Sequence, residues 1–288
     1  MLLFLFLVLF MSTFGQDRQR ALTDFNAMKA RAAELERAFL APDDNDRAVA
    51  AQRSATAIRL LPRETYDNSF SSIRGGGAYY GFYYRSPDYG YGSELGWEGG
   101  YLSTGYTDFA MMADLGEISI DEITKDTRGV VDIANYKIPD DPRNSSDNGK
   151  ARMGTLTIGE TAVVSRLKPI VGRSYVVRSL RVSYYDILVA FTVFRRDSDN
   201  SLILLSRLLH QYDTPRAASD GKIAESDDQI RSKAQNWLRD ERFKGVAFSV
   251  ANRVVTLNGS VDRQLLAYAI QLANNTGASK TINLLEPR

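Results

Sequence analysis

The chain has 288 residues, 44% of them hydrophobic and 25% charged, close to the composition of an ordinary globular protein and rich enough in apolar side chains for a sizeable core. A formal net charge of +1 supplies no field to gather phosphates, so no nucleic-acid partner is expected. With no cysteine and a single histidine, His210, one chain cannot build a disulfide, a thiolate zinc site, a cysteine nucleophile or a pair of catalytic histidines. No metal and no cofactor is expected.

Leu2 to Met11 form an unbroken apolar run, followed by Ser12, Thr13, Phe14, Gly15 and Gln16. As a helix the run reaches about 15 Å, half of a bilayer core of about 30 Å, so it is too short to span. It fits the h-region of a secretory signal peptide over residues 1–15, with small Thr13 and Gly15 before the cleavage point; a retained anchor is the alternative. Export without disulfides points to a bacterial envelope, periplasmic or secreted.

Residues 16–62 read as a helical segment. Leu22, Phe25, Met28, Ala32, Leu35 and Phe39 recur every three or four positions and make one stripe of an amphipathic helix. Pro42, Asp43, Asp44 and Asn45 stop it, and Asp44 or Asn45 can cap a second helix running to about Leu60. The expectation is a helical hairpin packed on the rest of the protein.

Residues 63–213 change to a period of two. Tyr175 to Val182 alternates in part, while Ile187–Phe194 and Leu202–Leu209 are mostly apolar, β-branched runs separated by the turn residues Asp197, Ser198, Asp199 and Asn200. Regularly spaced strands joined by turns predict an antiparallel β sandwich or barrel. Residues 214–225, with Pro215, Ala217, Ala218, Asp220 and Gly221, read as a polar linker.

From residue 226 to 288 the order is αββαβ. Ser226 or Asp227 caps a helix with Ile230, Ala234, Trp237 and Leu238 on one face. Val246, Phe248 and Val250 alternate along a strand, Asn252-Arg253 is a two-residue turn, and Val255 and Leu257 continue a second strand that Asn258-Gly259 ends. Leu265, Leu266, Ala269, Ile270 and Ala273 stripe a second helix stopped by Gly277, before a last strand at Thr281–Leu284. Asn258, Gly259 and Gly277 are thus structural positions where glycine supplies positive φ. The chain class is α+β.

This order and spacing resemble the BON domain family. The resemblance rests on Asp228-Gln229-Ile230 opening the first helix, on Val254-Val255-Thr256-Leu257-Asn258-Gly259-Ser260-Val261, and on Ala269, Ala273 and Gly277 before the Ile282-Asn283 strand. Arg253 stands where the family commonly has a turn glycine. The resemblance implies a non-catalytic envelope module that binds a phospholipid membrane surface or an envelope protein.

Elsewhere the chemistry-bearing patterns are thin. Gly75-Gly76-Gly77 lacks the lysine of a phosphate loop and does not lie between a strand and a helix. The aromatics that follow, among them Tyr79, Tyr83, Tyr91 and Trp97, read as a half-buried sheet with tight turns, or as a stacking surface for a ligand. Asp114, Glu117, Asp121, Glu122 and Asp126 read as a solvated face, with calcium binding or glycosidase carboxylates as alternatives. His210 reads as the capped end of a strand, and Arg178, Arg181, Arg195 and Arg196 as strand arginines facing water, able to meet anions. No catalytic residue is assigned. The functional expectation is an exported, non-catalytic envelope protein; the alternative is an envelope glycan hydrolase or carbohydrate-binding protein using residues 79–126. This reading sets no oligomeric state.

Overall fold

The computed structural model describes residues 2–66, 77–87, 92–213 and 225–288. It forms two compact units, Met1–Ala41 and Pro42–Arg288. The first is one continuous helix, α1 (Leu2–Leu40), along which Leu22, Phe25, Met28, Leu35 and Phe39 are exposed. Among the described residues no helix is long and apolar enough to cross a membrane.

The second unit opens with α2 (Asp44–Gln52), whose N-cap is Asp43, one residue before the predicted caps. Its carboxylate accepts from the Asp46 amide at 2.7 Å. The predicted second helix stops short of Leu60. Thr56–Leu60 instead form strand β1, antiparallel to residues 202–206, because alternation buries Ile58 and Leu60 on one face. About four turns of helix cannot be told from a short helix plus a strand when apolar residues are this sparse.

The body then runs through α3 (Arg63–Tyr66), β2 (Tyr79–Tyr80), β3 (Leu95–Glu98), β4 (Tyr101–Thr104), β5 (Phe109–Gly116), α4 (Val130–Asn135) and α5 (Ser146–Met153). Short strands β6 (Leu156–Ile158), β7 (Thr161–Val163) and β8 (Arg166–Leu167) lead to the three long ones, β9 (Ser174–Arg181), β10 (Tyr185–Arg196) and β11 (Leu202–Tyr212). The main sheet has the order β1-β11-β10-β9-β5, and every neighbouring pair is antiparallel.

Both faces of this sheet are covered, which is why its central strands read as near-continuous apolar runs rather than alternating ones. Val176, Leu188, Ala190 and Leu205 pack with Val130 and Ile133 of α4 and Ala151 of α5 on one face. On the other, Tyr175, Val177, Val189, Phe191 and Leu204 share a core with Leu95, Trp97 and Leu102 of the four-stranded sheet β2-β3-β4-β8. Two antiparallel sheets thus enclose one interior. Among the described residues no sheet closes into a barrel.

The C-terminal stretch folds as α6 (Asp227–Leu238), a 3₁₀ turn at Glu241–Phe243, β12 (Val246–Ala251), β13 (Val254–Val261), α7 (Arg263–Asn274) and β14 (Lys280–Pro287). Ser226 and Gln229 close a reciprocal capping box on α6. The sheet order is β12-β13-β14, with the β13–β14 pair parallel. Leu266, Trp237 and Phe248 belong to one apolar interior, and it is continuous with the aromatic face of the main sheet.

One glycine expectation needs adjusting. Asn258-Gly259 does not end a strand: β13 continues through it to Val261, with Val246 and Leu285 opposite Gly259 on its two sides. The residue must nonetheless be glycine, because its φ is +94° and a Cβ there would meet the Gly245 carbonyl oxygen at 2.2 Å. Gly277, with φ +90°, lies in the loop after α7.

Candidate functional site

A cleft of about 210 Å³ opens where the body meets the C-terminal module. Its body side is made by Ile187 and Val189 of β10, by Ser206, Leu208 and Gln211 of β11, and by Tyr80, Phe82, Tyr83 and Arg85 of the turn that Gly81 and Ser86 bridge. Its module side is Ile282, Asn283 and Leu284 of β14. Leu208 and Leu284 are 60% and 49% exposed, unusual for leucines on paired strands, and they present apolar surface beside an exposed cation, Arg85.

A one-residue irregularity in the main sheet builds this wall. Leu188 faces His210 and Val189 faces Leu208, so Leu209 is an extra residue without a partner. Leu208 and Gln211 are three apart and would point to opposite faces of a regular strand; the bulge returns both to the cleft face. β1 ends opposite Ser206, leaving the far half of β11 without a neighbour on that side among the described residues.

Gln211 then reaches the module. Its amide donates to the Thr281 carbonyl at 3.0 Å, the Tyr83 hydroxyl donates to the same oxygen at 2.8 Å, and Lys280 Nζ donates to the Gln211 carbonyl at 2.6 Å. Asn283 Nδ2 donates to the Tyr83 carbonyl at 2.9 Å, and Ser206 Oγ to the Thr56 carbonyl at 3.3 Å. The side chains of Tyr83, Ser206, Gln211 and Asn283 are therefore committed to main-chain partners, and what faces the interior is mostly hydrocarbon and ring. Burial pushes the Tyr80 hydroxyl up to about 12 and Tyr83 well above its ordinary value, so both stay neutral. Neither a carboxylate nor a histidine is among the described residues that line it, and among the described residues no group of three or more histidines or carboxylates can hold a metal.

Of the aromatics singled out in the sequence, Tyr83 lines the cleft. Tyr79 and Trp97 are buried: the Tyr79 hydroxyl joins Arg63 and Glu98 at 2.7 and 3.0 Å, and Trp97 Nε1 donates to the Asn200 carbonyl at 3.0 Å. Tyr91, Gly75, Gly76 and the linker residues 214–224 lie outside the described residues. Tyr80, Phe82, Leu208 and Leu284 were not distinguishable by sequence, since core and cleft aromatics carry the same alternation.

The carboxylates at 114–126 all face solvent. Asp114 pairs with Arg173 at 3.1 Å, and Asp121 accepts from Ser119. Glycan hydrolysis needs two carboxyls facing one another across an enclosed cleft, and this exposed face does not offer them.

The strand arginines do not face water as a group. Arg178 is 4% exposed; it clasps Asp186 with two bonds of 3.1 and 2.8 Å and donates to the carbonyls of Ile133 and Tyr136 at 3.0 and 2.7 Å. Those carbonyls belong to the open C-terminal end of α4, where a cation is favoured. Arg195 pairs with fully buried Asp46 at 2.7 Å and with Asp197 at 2.7 Å, and Arg181 donates to the Tyr84 hydroxyl at 2.6 Å. His210 packs edge-on against Tyr212, with ring centroids 4.4 Å apart; burial, then Lys280, Lys125 and Arg178, hold its pKa below the ordinary value.

No protein-family model matches the chain, and no curated protein matches it.

Proposed function

We propose that the protein is a non-catalytic cell-envelope binding protein, and that its BON-like module binds phospholipid together with the body rather than alone. The observation that carries this reading is the apolar cleft at their junction, rimmed by exposed Leu208 and Leu284 and flanked by exposed Arg85. At about 210 Å³ it is smaller than the roughly 300–1,000 Å³ of sites that enclose a whole small molecule. It suits the end of one acyl chain, with the headgroup phosphate outside near Arg85. The neutral hydroxyls and committed amides within it favour hydrocarbon over a polar ligand. The expected apolar run at the N-terminus, read as a signal peptide, would deliver the chain to the compartment where such lipid is found.

The test is co-sedimentation of the full chain with phosphatidylglycerol vesicles, beside hydrogen exchange of the cleft strands. Lipid should protect amides at 207–211 and 281–285, and Leu208→Asp with Leu284→Asp should abolish that protection. Unchanged exchange in the wild type at saturating lipid would defeat the lipid reading. A partner protein is the second reading, favoured by the position of β12 at the sheet edge opposite β14, where an added strand can pair.

A further inference from the structure

Helix α1 carries a second, independent surface. Within Ala21–Phe39 the apolar residues keep a seven-residue repeat: Phe25, Ala32 and Phe39 fall at its first position, and Ala21, Met28 and Leu35 at its fourth. These are the two positions that meet in a coiled coil. Phe25, Met28 and Leu35 are 58%, 65% and 55% exposed, which leaves an apolar seam in water along nearly three turns of the repeat.

The flanking charges say what covers it. Asp24 and Arg31 occupy the seventh position, and Lys29 and Glu36 the fifth. In a parallel pair of helices the seventh position of one strand lies against the fifth position of the next repeat on the other. Asp24 then meets Lys29 of a second copy and Arg31 meets Glu36, and two-fold symmetry repeats both attractions. Arg31 now pairs with Glu34 at 2.6 Å within its own helix, both side chains well exposed; such surface pairs exchange readily.

We infer that residues 21–39 of α1 form a parallel, in-register coiled coil with a second copy of this chain. Removal of residues 1–15 as a signal peptide would leave that seam whole. The absence of cysteine in the chain makes the test clean. Full chains carrying Ala32→Cys, on the seam, or Ala30→Cys, on the outer face, are mildly oxidised and resolved without reductant. Ala32→Cys should give the disulfide-linked dimer as its main product, and Ala30→Cys should stay monomeric. Adding Lys29→Glu to Ala32→Cys sets carboxylates opposite each other and should lower the yield; mixing that chain with one carrying Ala32→Cys and Asp24→Lys should restore it. Equal yields from the two cysteine positions, no dimer from either, or a yield indifferent to the charge changes would overturn the proposal.

Discussion

The hydroxyl of Tyr83 donates to the main-chain carbonyl of Thr281 at 2.8 Å, although the two residues are 198 positions apart. Gln211 donates to the same oxygen at 3.0 Å. One buried carbonyl thus takes both of its hydrogen bonds from the body, and the module's edge strand is held by it. Deleting either donor leaves the oxygen one partner, whereas deleting both leaves it unsatisfied in a dry site. Tyr83→Phe and Gln211→Ala are each expected to cost about 1 kcal/mol, and the double variant should cost more than their sum by roughly 0.5–1 kcal/mol. Urea midpoints of the four proteins decide it; strict additivity would show that the two donors do not share an acceptor.

Glu94 makes stability depend on pH. It is fully buried and bonds the Phe82 amide in the turn that forms the cleft. Burial pushes its carboxyl up to about 8, against the opposing pull of the Tyr185 hydroxyl and the nearby amides. In the unfolded chain the same group titrates near 4.5. Between those values the folded protein keeps a proton that the unfolded chain has released, so stability falls as pH rises through that window and levels off above it. Each unit of displacement corresponds to about 1.4 kcal/mol. Glu94→Gln, which stays neutral, should remove most of the decline in melting temperature between pH 5 and pH 8. A variant whose profile still falls as steeply as the wild type would place the titrating group elsewhere.

The Arg178–Asp186 pair adds a pH dependence of the same sense once broken. Both side chains are buried, and the guanidinium also stacks over the Tyr212 ring at 3.9 Å, so Arg178→Ala strands a carboxylate in the core. The expected loss is about 3–5 kcal/mol. Burial already raises the Asp186 pKa in the face of Arg178; without the arginine it rises further, so acidification should recover more stability in the variant than in the wild type. Thermal melts at pH 5 and pH 7.5 provide the comparison.

How much of this was legible in the sequence depends on how local each feature is. The apolar runs at Ile187–Phe194 and Leu202–Leu209 predict strands because many residues contribute to one pattern, and Trp237, Phe248 and Leu266 share the interior their spacing suggests. Single-residue events escape such a pattern. The extra residue at Leu209 is invisible to a period of two, yet it turns Gln211 toward the module and carries β11 on to Tyr212. Arg178 looks like any strand arginine until α4, more than forty residues earlier, brings its carbonyls to it. The cleft was hidden for the same reason: its walls come from residues 80–85, 187–211 and 282–284, and only the fold sets them together.

The hairpin between β12 and β13 shows what one local departure costs. Asn252 and Arg253 both have positive φ, 51° and 61°, the signature of a two-residue type I′ turn, in which the second position favours glycine. Arg253 holds this conformation because the Asp227 carboxylate, at the start of α6, accepts from the amides of Asn252 and Arg253 at 3.0 and 2.6 Å, and because its carbonyl takes the Ser279 amide at 2.8 Å. Left-handed backbone costs a residue with a Cβ about 1–2 kcal/mol, and part of the relief is offset by the greater freedom of glycine in the unfolded chain. Arg253→Gly should therefore stabilise the protein by about 0.5–1 kcal/mol, while Asp227→Ala, which strips both amides of their acceptor, should destabilise it by about 1–2 kcal/mol. With Arg253→Gly in place the turn needs less support, so the cost of Asp227→Ala should shrink. A loss of stability in Arg253→Gly, measured by the urea midpoint, would mean that the arginine side chain contributes more through its contacts than the strained backbone beneath it takes away.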